Sequence, residues 1–482
     1  MGSRQVTTRE SWNGQSITVA GLGVSGISAA RALAGLGARV TVVDGGDSAA
    51  HRARAAELEG EGIAVRLADA DTLPEGTGLI VTSPGWKPSS PLFEAAAKAG
   101  VDVVGDVEIA WRLRGPGAAP WLAITGTNGK TTTTQMLASI LTAAGLRTAA
   151  VGNIGTPIID VVLQDDAYDV LAVELSSYQL HWAPSLRAHS AAVLNLAPDH
   201  LDWHGSMDAY ALDKGRIYEG NEVACVYNVA DPATEHLVVE ADVTEGCRAI
   251  GFTLGSPGPS QLGIVDGILV DRAFVANRQK NAQELAEVSD VRPAAPHNLA
   301  NALAAAALAR AYGVKPAAVR EGLRAFRPDA HRIEHVADVA GVAYVDDSKA
   351  TNTHAAEASL AAYESIVWIA GGLAKGATFD ELVEKSAKRL RGAVLIGADR
   401  ALIREALARH APEVPVVDLD RTDTGALEAA VRAAAALAEP GDTVLLAPAC
   451  ASMDMFANYN RRGEAFADAV RELAEAQADN GR

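Results

Sequence analysis

The chain has 482 residues, enough for about three domains at roughly 150 residues each. Its 42 basic and 60 acidic side chains leave a net charge of −18, a field that opposes a phosphate backbone and argues against nucleic-acid binding; a small anion can still be held by local backbone amides. Hydrophobic residues at 49% and charged residues at 21% exclude a disordered chain.

Three cysteines, Cys225, Cys247 and Cys450, are too few and too scattered for a disulfide framework, and no C-x-x-C spacing suggests structural zinc. The uncharged stretch 11–30 contains Asn13, Gln15 and four glycines, so it reads as strand and turn and not as a membrane span. The expectation is a soluble, cytoplasmic protein with reduced thiols.

Short apolar runs at 17–20, 40–43, 79–82, 122–125, 170–173, 191–194, 367–370, 394–396 and 444–446 read as buried parallel strands. Helix candidates lie at 26–36, 131–144, 298–312, 379–390 and 400–410, and this alternation argues for α/β layers. Residues 222–295 are less regular and suggest antiparallel strands. Breaks at Arg114-Gly115-Pro116-Gly117-Ala118-Ala119-Pro120 and Phe326-Arg327-Pro328-Asp329-Ala330 divide the chain into 1–114, 115–327 and 328–482.

The first segment carries Gly21-Leu22-Gly23-Val24-Ser25-Gly26 between a strand and a helix, with Asp44 ending the next strand. Alone, this outline of a dinucleotide fingerprint fits NAD, another nucleotide, or a tight β–α turn.

The sharpest motif is Gly126-Thr127-Asn128-Gly129-Lys130-Thr131-Thr132, between a strand and a helix. Glycines let amides converge on an anion, the helix N-terminus adds positive potential, and Lys130 neutralises terminal phosphates. Thr131 supplies a hydroxyl for Mg²⁺. Two residues separate the glycines where the usual P-loop has four.

Glu174 ends the strand beside that loop, where an acid is placed to hold Mg²⁺ on ATP. Ser176, Ser177 and Gln179 follow it. In Asp199-His200-Leu201-Asp202-Trp203-His204 the two histidines stand four apart and could share a helix face, but the metalloprotease pattern H-E-x-x-H is absent.

In the third segment, Asp346-Asp347-Ser348-Lys349-Ala350-Thr351-Asn352, Gly371-Gly372-Leu373-Ala374-Lys375-Gly376 and Ala447-Pro448-Ala449-Cys450-Ala451-Ser452 each follow a strand. Polar groups at such edges suit a small anionic substrate. Cys450 reads as a buried packing thiol.

Together these motifs resemble the Mur ligases. Val151-Gly152-Asn153-Ile154-Gly155, Glu174-Leu175-Ser176-Ser177-Tyr178-Gln179-Leu180, His297-Asn298-Leu299-Ala300-Asn301-Ala302 and His331-Arg332-Ile333-Glu334 are similar to blocks of that family. The resemblance implies a Rossmann-like UDP-binding domain over 1–114, a P-loop-type central ATPase domain over 115–327 and a Rossmann-like C-terminal domain over 328–482. Asp347-Ser348-Lys349-Ala350-Thr351-Asn352 with Pro448-Ala449-Cys450-Ala451-Ser452 points to the members that add D-glutamate to UDP-N-acetylmuramoyl-L-alanine through an acyl phosphate.

By the same resemblance, Gly126 to Thr132, Asn298, Asn301, Arg332 and Asp347 contact ATP. Thr131, Glu174, His200 and Lys214 serve two Mg²⁺ sites, with Lys214 carbamylated, and Lys130, Glu174, His200 and Lys214 form the catalytic set. Val24, Ser25, Gly85, Asn153, Ser176, Gln179 and His200 contact the UDP-sugar. Lys349, Thr351, Lys375, Ser452 and Tyr459 hold D-glutamate; Tyr459 stands where the family often has Phe. Gly45-Gly46 departs from the family's usual Thr-Arg after Asp44. A monomer without nucleic-acid or membrane partners is implied.

Overall fold

Three sheets organise the described residues, and the apolar runs of the sequence form their interiors. The computed structural model describes residues 12–164, 167–328 and 330–480. Ser11, at the edge of the uncharged stretch, and Asp329, in the second break, lie outside the described residues.

The first sheet contains β1 (Ser16–Ala20), β2 (Arg39–Asp44), β3 (Ala64–Leu67), β4 (Leu79–Thr82) and β5 (Asp102–Gly105), in the order β3-β2-β1-β4-β5. All its pairings are parallel. The order reverses beside β1, so the glycine loop after Ala20 opens at a switch point, where doubly wound sheets bind ligands.

The second sheet is built from β6 (Trp121–Thr125), β7 (Ala150–Gly152), β8 (Leu171–Glu174), β9 (Ser190–Val193), β10 (Ala224–Asn228), β11 (Arg248–Phe252), β12 (Gln261–Val265), β13 (Ile268–Asp271) and β14 (Gln283–Glu287). Their order is β14-β13-β12-β11-β10-β9-β6-β8-β7. The expectation of antiparallel strands over 222–295 holds only for β12–β13–β14. β10 and β11 continue the parallel sheet, because both are apolar on consecutive residues and buried on two faces. β6 lies between β8 and β9, which brings the loop after β6 beside Glu174 at the end of β8.

The third sheet holds β15 (Glu334–Val339), β16 (Val342–Asp346), β17 (Ile366–Gly371), β18 (Leu390–Ile396), β19 (Val416–Asp418) and β20 (Thr443–Leu446), ordered β15-β16-β20-β17-β18-β19. Only β15 pairs antiparallel. The ends of β16, β20 and β17 are therefore neighbours although the chain reaches them 100 residues apart in the extreme case, Asp346 to Leu446.

The chain divides into two compact units, Met1–Val291 with Asn298–Phe326, and Arg292–His297 with Arg327–Arg482. Helix Pro296–Ala311 is buried on nearly every side, including Asn298 and Asn301. No helix among the described residues is long and apolar enough to cross a membrane. Cys450 is buried, and burial pushes its thiol up to about 12. Cys225 and Cys247, far apart in sequence, have sulfurs 3.9 Å apart.

Candidate active site

The loop after β6 turns on two glycines. Gly126 has φ +156° and Gly129 φ +84°, and a Cβ on Gly129 would lie 2.4 Å from Asn301 Oδ1. Helix Lys130–Ala143 starts directly after it, so its first amides lack intrahelical acceptors and face outward. Asn195 buttresses the loop: its backbone carbonyl accepts from Thr127 N at 3.0 Å and its Oδ1 from Asn128 N at 2.9 Å. Thr127 Oγ1 accepts from Ala197 N at 3.0 Å.

Two lysines converge on one carbonyl. Lys130 Nζ donates to Gly126 O at 2.9 Å and to Thr127 O at 2.8 Å, while Lys214 Nζ donates to Gly126 O at 2.9 Å. Lys214 is only 1% exposed. Burial, and then the neighbouring Lys130 charge, hold its ammonium well below the ordinary lysine range. A lysine held this way gives up its proton more readily than an exposed one, and the amine so formed is nucleophilic.

Glu174 is also buried. Its Oε1 accepts from Asn153 Nδ2 at 2.8 Å, and its backbone carbonyl accepts from Asn153 N at 2.9 Å. Its Oε2 has no hydrogen-bond partner among the described residues. A buried carboxylate oxygen left open beside a phosphate-type loop, with the Thr131 hydroxyl at the helix start, is a hard-oxygen pair that fits Mg²⁺; the His200 ring, close enough to feel the Lys130 and Lys214 charges, adds a nitrogen donor. A side chain on Gly152 would come within 2.2 Å of Glu174 O, so β7 can approach only as glycine.

His200 does not share a helix face with His204. It adopts φ +55° as the N-cap of the short helix Leu201–His204. Both rings instead meet Tyr178, with centroids at 4.9 and 5.6 Å. Burial pulls the His200 pKa down. Ser176 and Gln179 form a reciprocal capping box for helix Ser177–His181; both therefore have a structural task, and the S-x-x-Q spacing is legible in the sequence.

Several residues near the site were missed by the sequence reading. Asp213 is buried and accepts from His181 Nδ1 at 2.9 Å, His204 Nδ1 at 3.0 Å and Arg216 Nε at 3.0 Å. Burial pushes its carboxyl upward, but the hydrogen bonds from both histidines bring it down to about 2. Asp106 is fully buried, which pushes it up to about 6 against a hydrogen bond from Ser25.

In the first sheet, Gly21 has φ +107°, and a Cβ on Gly26 would strike Gly21 O at 2.0 Å. Asp44 accepts from Leu22 N and Gly46 N, both at 2.7 Å, so this acid braces the glycine loop. Gly46 is glycine because the His51 ring would lie 2.4 Å from its Cβ. Val24 is 69% exposed at the helix start. Gly85 lines a groove of about 480 Å³ with Ala70, Asp71, Trp86 and Lys87.

In the other unit, the three strand-end segments are stitched together. Asp347 N donates to Leu446 O at 2.8 Å, Ala449 N to Ala350 O at 2.9 Å, and Gly371 N to Pro448 O at 2.9 Å. Arg462 is fully buried beneath them and donates to Ser348 O at 2.8 Å, Ser348 Oγ at 3.0 Å and Cys450 O at 3.1 Å. Lys349 Nζ lies 3.9 Å from the centre of the Tyr459 ring. Lys375 adopts φ +50°, Ser452 is buried and Thr351 is half-buried. Asp347 accepts from Ser359 Oγ, and burial pushes it up to about 6. Arg332 and Asp347 belong to this unit, whereas Asn298 and Asn301 belong to the unit of the phosphate-type loop.

A strand–glycine loop–helix with two inward lysines and an open carboxylate defines a phosphoryl-handling α/β enzyme. Three family descriptions match successive parts of the chain: "Mur ligase MurD-like, N-terminal domain" over residues 15–105, "Mur ligase middle domain" over 124–309 and "Mur ligase, glutamate ligase domain" over 331–450.

The chain belongs to the Mur ligase family. It is 80% identical over 96% of its length to a protein of Streptomyces avermitilis named UDP-N-acetylmuramoylalanine–D-glutamate ligase, covering 99% of that protein. The relative of the same name from Thermobifida fusca is 60% identical, with 96% of this chain and 99% of the relative covered. Among solved structures, the UDP-N-acetylmuramate–alanine ligase MurC from Thermotoga maritima superposes with a TM-score of 0.56 at 17% identity, over 95% of this chain and 99% of the other. The MurF ligase from the same organism in complex with ADP also scores 0.56 at 16% identity, over 99% and 100%. These two share the three-domain α/β architecture.

Proposed function

We infer that this chain joins D-glutamate to UDP-N-acetylmuramoylalanine at the cost of ATP, in peptidoglycan precursor synthesis. The observation that carries the reading is the convergence of Lys130 and Lys214 on Gly126 O beside the open oxygen of Glu174, in a chain 80% identical to ligases named for this reaction.

A carboxylate is a poor acyl donor. Its oxygen attacks the γ-phosphorus of ATP, the bond to the bridging oxygen breaks, and ADP leaves an acyl phosphate. The neutral amine of D-glutamate then adds to the acyl carbon, its nitrogen gives up a proton, and the tetrahedral intermediate expels phosphate as the peptide bond forms. Little covalent chemistry falls to the protein, which aligns the groups and neutralises developing charge.

Gly126, Thr127, Asn128, Gly129 and Thr132 shape the phosphate loop, and Lys130 draws charge from the terminal phosphates. Asn298, Asn301, Arg332 and Asp347 take the rest of ATP. Thr131, Glu174, His200 and a carbamylated Lys214 would hold two Mg²⁺ ions. When bound, these ions neutralise phosphate charge and polarise the reacting oxygens. Lys214, buried and with its ammonium held well below the ordinary lysine range, is suited to carbamylation: once deprotonated, its nitrogen adds to CO₂, a second proton is lost, and a cation becomes an anionic oxygen ligand.

Val24, Ser25 and Gly85 meet the UDP portion; Asn153, Ser176, Gln179 and His200 meet the muramoyl-alanine portion. Lys349, Thr351, Lys375, Ser452 and Tyr459 hold D-glutamate. The functional division is UDP-sugar binding in 1–114, ATP chemistry in 115–327 and D-glutamate binding in 328–482, in a cytoplasmic monomer.

The test is phosphate release with ATP, Mg²⁺ and UDP-N-acetylmuramoyl-L-alanine, comparing D-glutamate with L-glutamate, meso-diaminopimelate, L-lysine and L-alanine. Release requiring both D-glutamate and the UDP-sugar is expected. Release with another amino acid instead would overturn the assignment of the third segment.

A further inference from the structure

Asp213 precedes Lys214 on helix Met207–Gly215, and nothing in the mechanism uses it. Its two oxygens collect three donors from three separate segments: His181 at the end of helix Ser177–His181, His204 at the end of helix Leu201–His204, and Arg216 in the turn that follows its own helix. Four contacts to one buried carboxylate, all between 2.9 and 3.0 Å, make a junction and not a surface ion pair.

The junction has two arms. Consecutive helical residues point about 100° apart, so a carboxylate pinned on one side sets the rotation of the helix and thereby the direction in which Lys214 leaves it. Lys214 then reaches Gly126 O at 2.9 Å. On the other arm, His204 Nε2 pairs with Ser177 Oγ at 2.9 Å, and its ring lies parallel to Tyr178 at 2°. Tyr178 in turn packs on His200. One side chain therefore braces both Lys214 and His200.

We propose that Asp213 is a positioning residue for the reaction: through His181, His204 and Arg216 it fixes the directions of Lys214 and His200 toward the phosphate loop. This rests on the metal-site reading given above. A carboxylate is the group the geometry requires, since it is an acceptor on both atoms. Asparagine offers one acceptor and places an amide donor against ring or guanidinium N–H groups.

The experiment compares Asp213→Asn and Asp213→Glu with the unmodified enzyme. Three quantities are read: the ¹³C NMR carbamate signal in ¹³C-bicarbonate, the Mg²⁺ concentration giving half-maximal rate, and kcat against KM for ATP. Outer residues that orient metal ligands typically contribute about 10–100-fold in affinity or activity. Asp213→Asn is expected to lose that much in kcat, raise the Mg²⁺ requirement about tenfold or more and weaken the carbamate signal, with KM for ATP nearly unchanged and Asp213→Glu partly restored.

Unmodified kcat and Mg²⁺ requirement in Asp213→Asn would overturn the proposal. Absence of a carbamate signal in the unmodified enzyme would instead overturn the carbamate reading, and the Mg²⁺ requirement still decides for or against Asp213. If Asp213→Asn does not fold, His204→Asn, which removes one arm and keeps the carboxylate, is read by the same three measurements.

Discussion

Replacing Gly129 with alanine tests the phosphate loop most directly. The backbone there has φ +84°, and an added Cβ would sit 2.4 Å from Asn301 Oδ1 and 3.3 Å from Leu194 Cδ1. The left-handed backbone costs about 1–2 kcal/mol with a Cβ, and overpacking against a buried side chain adds about 1–3 kcal/mol. The total is about 2–5 kcal/mol. Whatever strain the loop retains is read as lost stability; whatever it relieves by leaving its shape is read as lost ATP affinity.

Since 1.4 kcal/mol is tenfold in binding, a loop that relaxes fully binds ATP about 30-fold more weakly or worse. Asn301→Ala in the same chain removes the 2.4 Å clash and leaves the backbone term, the milder 3.3 Å contact with Leu194 and whatever Asn301 itself contributes to ATP. The pair is therefore expected to be less damaging than the sum of its single changes, with a coupling of about 1–3 kcal/mol. Calorimetric titration with ATP, together with urea denaturation, measures both parts for all four variants. Strict additivity would refute the packing of Gly129 against Asn301 as the reason for the glycine.

Three further outcomes are expected. Lys214→Ala loses activity and regains part of it with added short carboxylates, which supply the missing oxygen ligand; full activity without additives in a phosphate-release assay contradicts the assignment. Asp347 has its pKa raised from 3.8 to about 6 by burial, so its contribution to stability is fully present below about pH 4 and is lost as pH rises through about 6, a cost of at most about 3 kcal/mol. Asp347→Asn should then raise urea stability at pH 8 by about 1–3 kcal/mol and flatten the slope between pH 4 and 7; an unaltered slope refutes this. Arg462→Met strands the carbonyls of Ser348 and Cys450 and should cost about 2–5 kcal/mol, with a higher KM for D-glutamate. A loss under 0.5 kcal/mol in denaturant titration would contradict the role given to Arg462.

Much of the frame is readable from the chain because parallel strands are buried on both faces and so appear as uninterrupted apolar runs, as 79–82 does; the helix expected at 400–410 coincides with Arg400–His410. The Gly126–Thr132 loop was legible for a different reason, since its glycines, its lysine and its flanking strand and helix are all local. The Asp213 junction was not. Its two histidine donors lie 32 and 9 residues away, and nothing in the local pattern separates a histidine that binds a buried carboxylate from one at the surface. Arg462 was hidden in the same way, because an arginine in an amphipathic helix ordinarily faces water. The irregular, Gly/Pro-containing segment 222–295 suggests antiparallel strands, but β10 and β11 pair parallel, because the pairing is decided by which edge of the existing sheet they reach.

The division of the chain into units has a practical consequence for anyone dissecting it. Residues Arg292–His297 belong with the C-terminal unit although Asn298–Phe326 return to the first. A single cut after Phe326 therefore cannot separate the halves cleanly: the downstream fragment lacks a six-residue piece of its own unit, and the upstream fragment carries that piece as a stray insertion. Split-protein reporters, separate expression of the halves and domain exchange with other ligases all have to reckon with the boundaries at 291/292, 297/298 and 326/327, the second of which falls inside helix Pro296–Ala311 and so offers no clean cut.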